Sequence, residues 1–187
     1  MRRAATPAWD ELLSLLTPIH DQAVLFARRI ARSSADGDDL FQEAVVRAGL
    51  KLSTLRDKER FRAWFHQVIV SVHRSRARRG FWRRLVSTDA PDAARQVAAL
   101  AGEDGAALAD ERAAAESAAR ALSSLPPAQR EAIVLFELQE RSVEEIAEIQ
   151  RSSLSAVKSR LSRARERLRR HYAASERLIP IQEECHE

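Results

Sequence analysis

Ser155, Ser159 and Ser162, with Lys158 and Arg163 beside them, recur at spacings of three and four. On a helix those spacings put them on one face. Short hydroxyls of that kind meet base edges, and long cations reach guanine or phosphate, so the pattern suits reading of a nucleic-acid duplex. Leu154, Val157, Leu161, Ala164 and Leu168 form a narrow apolar stripe on the other side, which must seat the helix on a core. Ser153 stands where an N-cap is needed. Just upstream, Val143, Ile146, Ala147 and Ile149 predict a further helix, with Glu144, Glu145 and Glu148 facing out, and Gln150-Arg151-Ser152 is the break between the two. Helix, short break and basic second helix is the layout of a helix-turn-helix reader. An ordinary helical hairpin with a solvated basic face is the plainer alternative. Eight Lys or Arg against one Glu from Arg151 to Arg170 favour a polyanionic partner.

A second basic block runs from Arg74 to Arg84, with six Arg and no acid. Phe81 and Trp82 lie within it and suit either stacking on bases or shielding a core. Catalytic chemistry finds no comparable support. There is no Gly-rich phosphate loop and no nucleophile beside a plausible base, so no enzyme and no cofactor are expected. His171, Cys185 and His186 bring a single thiol and no ligand spacing, so no metal is expected. His20, His66 and His73 read as surface or packing residues. A lone cysteine excludes an internal disulfide and suits a reducing compartment. No run is apolar enough for membrane insertion and no signal-peptide core opens the chain, so a cytoplasmic address is the simplest.

The elements that must position these residues read as all-α. Gly and Pro are few, while Ala, Leu, Arg and Glu abound. After Met1 to Thr6, which read as frayed, Trp9, Leu12, Leu13, Leu15 and Leu16 predict a short helix ending before Pro18. Ile19, Ala23, Phe26, Ala27 and Ile30 predict a longer one, and Ser33, Ser34 and Gly37 a turn. Asp38 to Ala48 has two faces: Phe41, Ala44, Val45 and Ala48 buried, and Asp39, Gln42, Glu43, Val46 and Arg47 outside. Leu52 to Glu59 reads as a loop. Phe61, Trp64, Phe65, Val68, Ile69 and Val72 make a core stripe, flanked by Gln67, Ser71, Arg74 and Arg78. An acidic, Gly- and Pro-punctuated linker follows, and a second domain begins near Glu111. There Pro126-Pro127 opens a helix whose Ile133, Val134, Phe136 and Leu138 pack under the helix-turn-helix. The expected organisation is a first domain over 8–85, a flexible linker over 86–110, a second domain over 111–173 and a tail over 174–187.

Taken in order, DDLFQEAVVRA (Asp38 to Ala48), FRAWFHQVIVSVHRSRARR (Phe61 to Arg79), LPPAQREAIVLFELQERSVEEIAEI (Leu125 to Ile149) and AVKSRLSRARERLRR (Ala156 to Arg170) resemble the extracytoplasmic-function subgroup of the bacterial sigma-70 family. The resemblance covers about three quarters of the residues. It implies a region 2-like first domain and a region 4-like second one, in a factor that binds core RNA polymerase and directs promoter-specific initiation. Asp38, Asp39, Gln42, Glu43 and Arg47 are then expected to dock on the clamp coiled coil of the polymerase. Thr54, Leu55, Arg56, Asp57 and Lys58, with Ser71, Arg74, Ser75 and Arg78, would read the melted −10 element. Ser155, Ala156, Lys158, Ser159, Ser162 and Arg163 would read the −35 duplex, and Arg160, Arg165, Arg167 and Arg169 would meet phosphates. The polymerase flap and an anti-sigma factor are further implied partners. The chain departs from the family pattern in having Ser71 and Ser75 where Asn and Asp are common. It also has Arg151-Ser152 where a glycine and an aliphatic residue are usual, so its turn requires a non-glycine residue at positive φ or another geometry.

Other functions stay open at this level: a stand-alone helix-turn-helix regulator on duplex operators, or a helical adaptor using its acidic face. The acidic helix followed by an aromatic-basic one leaves no evident ligand pocket or dimer seam for a repressor. Charge reversal at Asp39 and Glu43 is expected to weaken polymerase binding without harming the fold. The linker is expected to be mobile in the free protein and ordered on polymerase.

Overall fold

The computed structural model describes residues 7–31, 33–86 and 106–176. Among them are eight α-helices: α1 (Pro7–Leu16), α2 (His20–Ile30), α3 (Ser34–Lys51), α4 (Phe61–Val86), α5 (Ala106–Ser123), α6 (Pro127–Glu137), α7 (Val143–Gln150) and α8 (Leu154–Glu176). Short 3-10 turns fill Thr17–Ile19, Leu52–Thr54 and Lys58–Arg60. The segment expected to fray at the N-terminus, the linker from 87 to 105 and the tail beyond 176 lie outside the described residues. The ends of the expected linker are helical: Val86 closes α4 and Ala106 to Asp110 open α5. Alanine-rich sequence favours helix there over loop.

Leu12 and Leu16 bury the inner side of α1, and Pro18 breaks the chain into the first 3-10 turn. The turn expected at Ser33, Ser34 and Gly37 is shorter than its residues suggested. Ser33 caps α3, its hydroxyl accepting from the Asp36 amide at 3.1 Å, and the helix begins at Ser34. Gly37 therefore lies within α3, and packing is what requires it. A Cβ at that position would stand 2.4 Å from the Arg28 Cα of α2. Leu40, Ala44 and Ala48 are the buried row of α3, whereas Phe41 and Val45 are only half-buried against it. On α4, Phe61, Phe65, Val68, Ile69 and Val72 are buried as their spacing required, with Trp64 packed at the edge. Phe65 stacks on Phe61 at 5.6 Å and meets Phe41 edge-on at 6.1 Å.

In the second half Pro127 occupies the first turn of α6, where its missing N–H costs nothing. Ile133, Val134 and Leu135 are buried beneath α7 and α8. Leu138, expected in that core, is 49% exposed because it caps the end of α6 as the chain turns away. Leu154 also lies outside its expected stripe, 45% exposed at the first position of α8, while Val157, Leu161 and Ala164 are buried. The two halves also pack on one another, α4 against α7 and α2 against α5 and α6. Nothing in the periodicity of either half announced that seam.

Candidate nucleic-acid interface

The helix-turn-helix is built by three local devices. Ser142 and Glu145 form a capping box at the start of α7, with hydroxyl and carboxylate bonds of 3.1 and 2.9 Å. At its end Arg151 takes φ 48° and ψ 56°, so a non-glycine residue holds the left-handed position that the missing glycine would have filled. The Ser152 amide then donates to the Ala147 carbonyl at 2.9 Å, which closes the turn. Ser153 caps α8, its hydroxyl accepting from the Ala156 amide at 3.3 Å.

On α8, Ser155, Lys158, Ser162 and Arg163 are exposed, and Ala156 and Ser159 are half-exposed. These are the base-reading candidates, and they share the side opposite Val157, Leu161 and Ala164. The expected phosphate arginines differ from one another. Arg167 is exposed. Arg165 pairs with Glu137 at 2.9 Å and lies over the Phe136 ring, and Arg169 pairs with Glu166 at 3.2 Å. Arg160 is turned inward, donating to Gln150 Oε1 at 2.5 Å and Ser152 Oγ at 2.9 Å. Burial and the neighbouring charge of Arg74 lower its pKa.

The loop before α4 exposes Thr54, Arg56, Asp57 and Lys58, with Leu55 half-buried. Asp57 accepts from the Glu59 amide at 2.9 Å, and Lys58 pairs with Glu11 at 2.5 Å. Thr54, Leu55, Arg56 and Asp57 line a cleft of about 220 Å³ with Trp64 and Gln67 of α4. Its far wall comes from α7, through Glu148 and Ile149. Along α4, Ser71 and Arg78 are exposed, and Ser75 donates to the Ser71 carbonyl at 2.9 Å. Arg74 is engaged: Nη2 meets Glu131 at 2.7 Å and Nη1 the Gln150 carbonyl at 2.9 Å.

The α3 face is less free than its spacing suggested. Asp38 pairs with Arg28 at 2.7 Å. Glu43 accepts from Arg47 at 2.9 Å on its own helix, and from Arg76 at 2.7 Å and Arg79 at 3.3 Å on α4. Partial burial pushes the Glu43 carboxyl up, but the hydrogen bonds and charges of Arg76 and Arg79 outweigh it and hold the carboxyl below its ordinary value. Asp39 and Gln42 are the exposed polar members, with Val46 and Leu50 exposed beside them. The expectation that reversing Glu43 leaves the fold intact is therefore corrected, because its carboxylate ties α3 to α4. Glu43→Lys should cost about 2–3 kcal/mol in urea unfolding, as arginines are left facing a lysine. Asp39→Lys should stay within roughly 0.5 kcal/mol of the parent.

The residues that the periodicity did not single out are the ones joining the halves. Arg130 of α6 donates to the Ile30 and Ala31 carbonyls at 3.1 and 3.0 Å, where α2 ends, and also to Ser123 and Leu125 at 2.7 and 3.1 Å. Glu131, with a fully buried side chain, accepts from Arg74, Gln150 Nε2 lies 3.3 Å from it, and His73 Nδ1 lies 2.8 Å from it. Arg60 bonds both Glu148 oxygens at 2.5 and 2.6 Å, and Gln67 donates to the Glu148 carbonyl at 3.1 Å. One signal was available: Gln150 follows Ile146 by four, so it falls on the buried side of α7.

Comparisons with known proteins divide the chain at the same place. The Sigma-70 region 2 profile matches residues 15–83, and the Sigma-70, region 4 profile matches residues 115–168. The ECF RNA polymerase sigma factor SigE of Mycolicibacterium smegmatis is 31% identical over 171 residues, covering 91% of this chain and 64% of that protein, so this chain spans just under two thirds of it. ECF RNA polymerase sigma factor SigM of Mycobacterium tuberculosis is 33% identical over 154 residues, 81% of this chain and 71% of the other. Among solved structures, the sigma factor RpoE in complex with the anti-sigma factor NepR from Bartonella quintana has a TM-score of 0.69. It is 23% identical and covers 88% of this chain and 98% of that one, a likeness of fold.

Proposed function

The chain belongs to the sigma-70 family, in its extracytoplasmic-function subgroup, and on that footing we propose that it is a promoter-specificity subunit of RNA polymerase. It binds the core enzyme, reads −10 and −35 elements and assists melting, with no chemistry of its own. The observation that carries this reading is the exposed row of Ser155, Lys158, Ser162 and Arg163 on a capped second helix, in a chain whose other half exposes Arg56 and Lys58 before α4 and Arg78 on it. Two separate reading surfaces suit a promoter with two elements better than an operator bound by one domain.

Asp39 and Gln42 are the leading polymerase contacts, with Asp38, Glu43 and Arg47 supporting them from within their ion pairs. Thr54 to Lys58 with Ser71, Arg74, Ser75 and Arg78 hold melted −10 bases, which need stacking surfaces and cations along the backbone. The polymerase clamp and flap, promoter DNA and an anti-sigma factor are the proposed partners. No helix among the described residues is long and apolar enough to cross a membrane. Co-purification with core polymerase and transcription from a promoter library test this reading. Sequence-specific duplex binding without core association would favour the stand-alone regulator instead.

The duplex face makes a sharper prediction. A bidentate cation on guanine contributes about 1–3 kcal/mol of base discrimination. Arg163→Ala should relax preference at one or two −35 positions as well as weaken binding. Arg167→Ala should weaken all sequences alike and reduce the salt slope by roughly 0.9. Titrations on a panel of −35 variants at several salt concentrations separate the two. A uniform loss for Arg163→Ala would remove its base-reading role.

A further inference from the structure

Arg62 and His66 stand one turn apart on α4, and Arg141 lies just before α7, which packs against that helix. The Arg62 Nε, both His66 ring nitrogens, and the Nε and Nη2 of Arg141 are buried without a hydrogen-bond partner among the described residues. The three side chains are near enough for charge to pass between them. Burial first, and then the Arg141 charge, lower the Arg62 pKa, and both cations act on the His66 ring. Arg141 is held firmly in place. Glu140 before it takes φ 51°, the Arg141 amide donates to the Leu135 carbonyl at 3.0 Å, and its Nη1 donates to Glu145 Oε1 at 2.8 Å. That leaves the Nε–Nη2 edge over, the fork that fits an oxyanion with two parallel hydrogen bonds. The carboxylates nearby are engaged or outside. Glu145 gives its second oxygen to the Ser142 amide at 2.9 Å, and Glu140 is exposed.

We propose that Arg141, Arg62 and His66 form a binding site for a small phosphate-class oxyanion, seated in the free fork of Arg141 and met from α4 by the other two. The donor count favours an anion over a water. Arg141 offers two N–H groups, Arg62 one, and the His66 ring, kept neutral by burial and by both arginines, one more. A water accepts two hydrogen bonds and brings two donors of its own, whereas an oxyanion only accepts. It also answers the charge, since Glu145 offsets Arg141 while Arg62 adds a second cation that burial makes costly. A tetrahedral anion suits the set better than a carboxylate, because the fork engages two oxygens and Arg62 and His66 need others. Burial sets the size. His66 is 1% exposed and the Arg141 side chain 13%, with half-buried Arg62 on the solvent side, so a free ion fits better than a phosphoryl group on a bulky molecule.

The test is an NMR titration of the isotope-labelled full chain at constant ionic strength. Inorganic phosphate should shift the Arg141 and Arg62 Nε–H signals and the His66 ring signals along one saturable curve, and sulfate should do the same. Acetate, with no oxygens left for Arg62 and His66, should bind at least about tenfold more weakly. Arg141→Lys keeps the charge but loses the fork, so it should also weaken phosphate binding at least about tenfold. Arg62→Gln, at a half-buried position, should weaken it in the same direction and serves should Arg141→Lys fail to fold. Adenosine monophosphate separates the two sources of the group. Binding much weaker than that of phosphate supports the free ion, and binding as tight or tighter overturns it in favour of a phosphoryl group on a larger ligand. Shifts that rise linearly without saturating, or equal phosphate affinity in the parent and either folded variant, overturn the site. Acetate binding as tightly as phosphate overturns the tetrahedral class.

Discussion

Acidification should destabilise this protein well before its carboxylates are neutralised, and His66 is the reason. The ring is fully buried on α4, edge-on to Phe26 at 4.9 Å, and neither nitrogen has a hydrogen-bond partner among the described residues. Burial first, and then the charges of Arg141 and Arg62, lower its pKa from 6.5 to about 3, against a smaller opposing pull from Glu145. The unfolded chain therefore binds a proton that the folded chain refuses. Stability is complete above pH 6.5 and falls as the pH drops from 6.5 toward 3. Integrated over that window the loss is on the order of 4–5 kcal/mol, of which about 2 kcal/mol falls between pH 7 and pH 5. The upper part lies above the range in which Glu43, held below its ordinary 4.5, titrates. His66→Leu should remove this component and, at pH 7, match or exceed the parent, since two unpaired buried nitrogens disappear. Urea unfolding at pH 7 and pH 5 makes the comparison. If parent and variant lose equal stability between those values, His66 is not the group responsible.

Gly37→Ala should destabilise by about 3 kcal/mol, although the same change in most helix interiors stabilises by up to 1 kcal/mol. The reversed sign comes from the neighbour. The added methyl would meet the Cα of Arg28 at 2.4 Å and its amide nitrogen at 2.9 Å, and backbone of an adjacent helix cannot rotate aside. α2 and α3 would have to part, loosening the contacts among Phe26, Ala27, Leu40 and Ala44 and shifting the Arg28–Asp38 pair. Gly49 makes a softer case, since its close neighbour is the Trp9 indole at 2.5 Å, a side chain rather than backbone. Urea midpoints for Gly37→Ala and for Ala35→Gly, an exposed control on the same helix, test the point. A stabilised Gly37→Ala would show that the helices do not approach as closely as described.

Most of the helices and the orientation of the reading helix were legible because they follow from local rules. Apolar residues three and four apart leave only one way to bury Val157, Leu161 and Ala164, and that leaves Lys158, Ser162 and Arg163 outside. At the break, a turn without glycine left two outcomes open, a non-glycine residue at positive φ or another geometry, and the structure takes the first, at Arg151. The same local patterns could not rank half-buried positions. Phe41 and Leu40 are both apolar on adjacent positions of α3, and only the packing of the other helices on α3 selects Leu40 for the interior.

Tertiary structure decided the fate of the charges. A carboxylate or guanidinium in a sequence reads as solvated, and whether it is depends on what another element brings within about 3 Å. Glu43 read as a free docking residue, yet α4 supplies two arginines to it. Arg74 and Arg160 read as nucleic-acid contacts, yet Glu131 and Gln150 claim them in this conformation. These partners stand 33, 57 and 10 positions apart in the chain. Helical periodicity extends only over neighbouring turns, so it orients each of these side chains on its own helix without indicating what lies opposite.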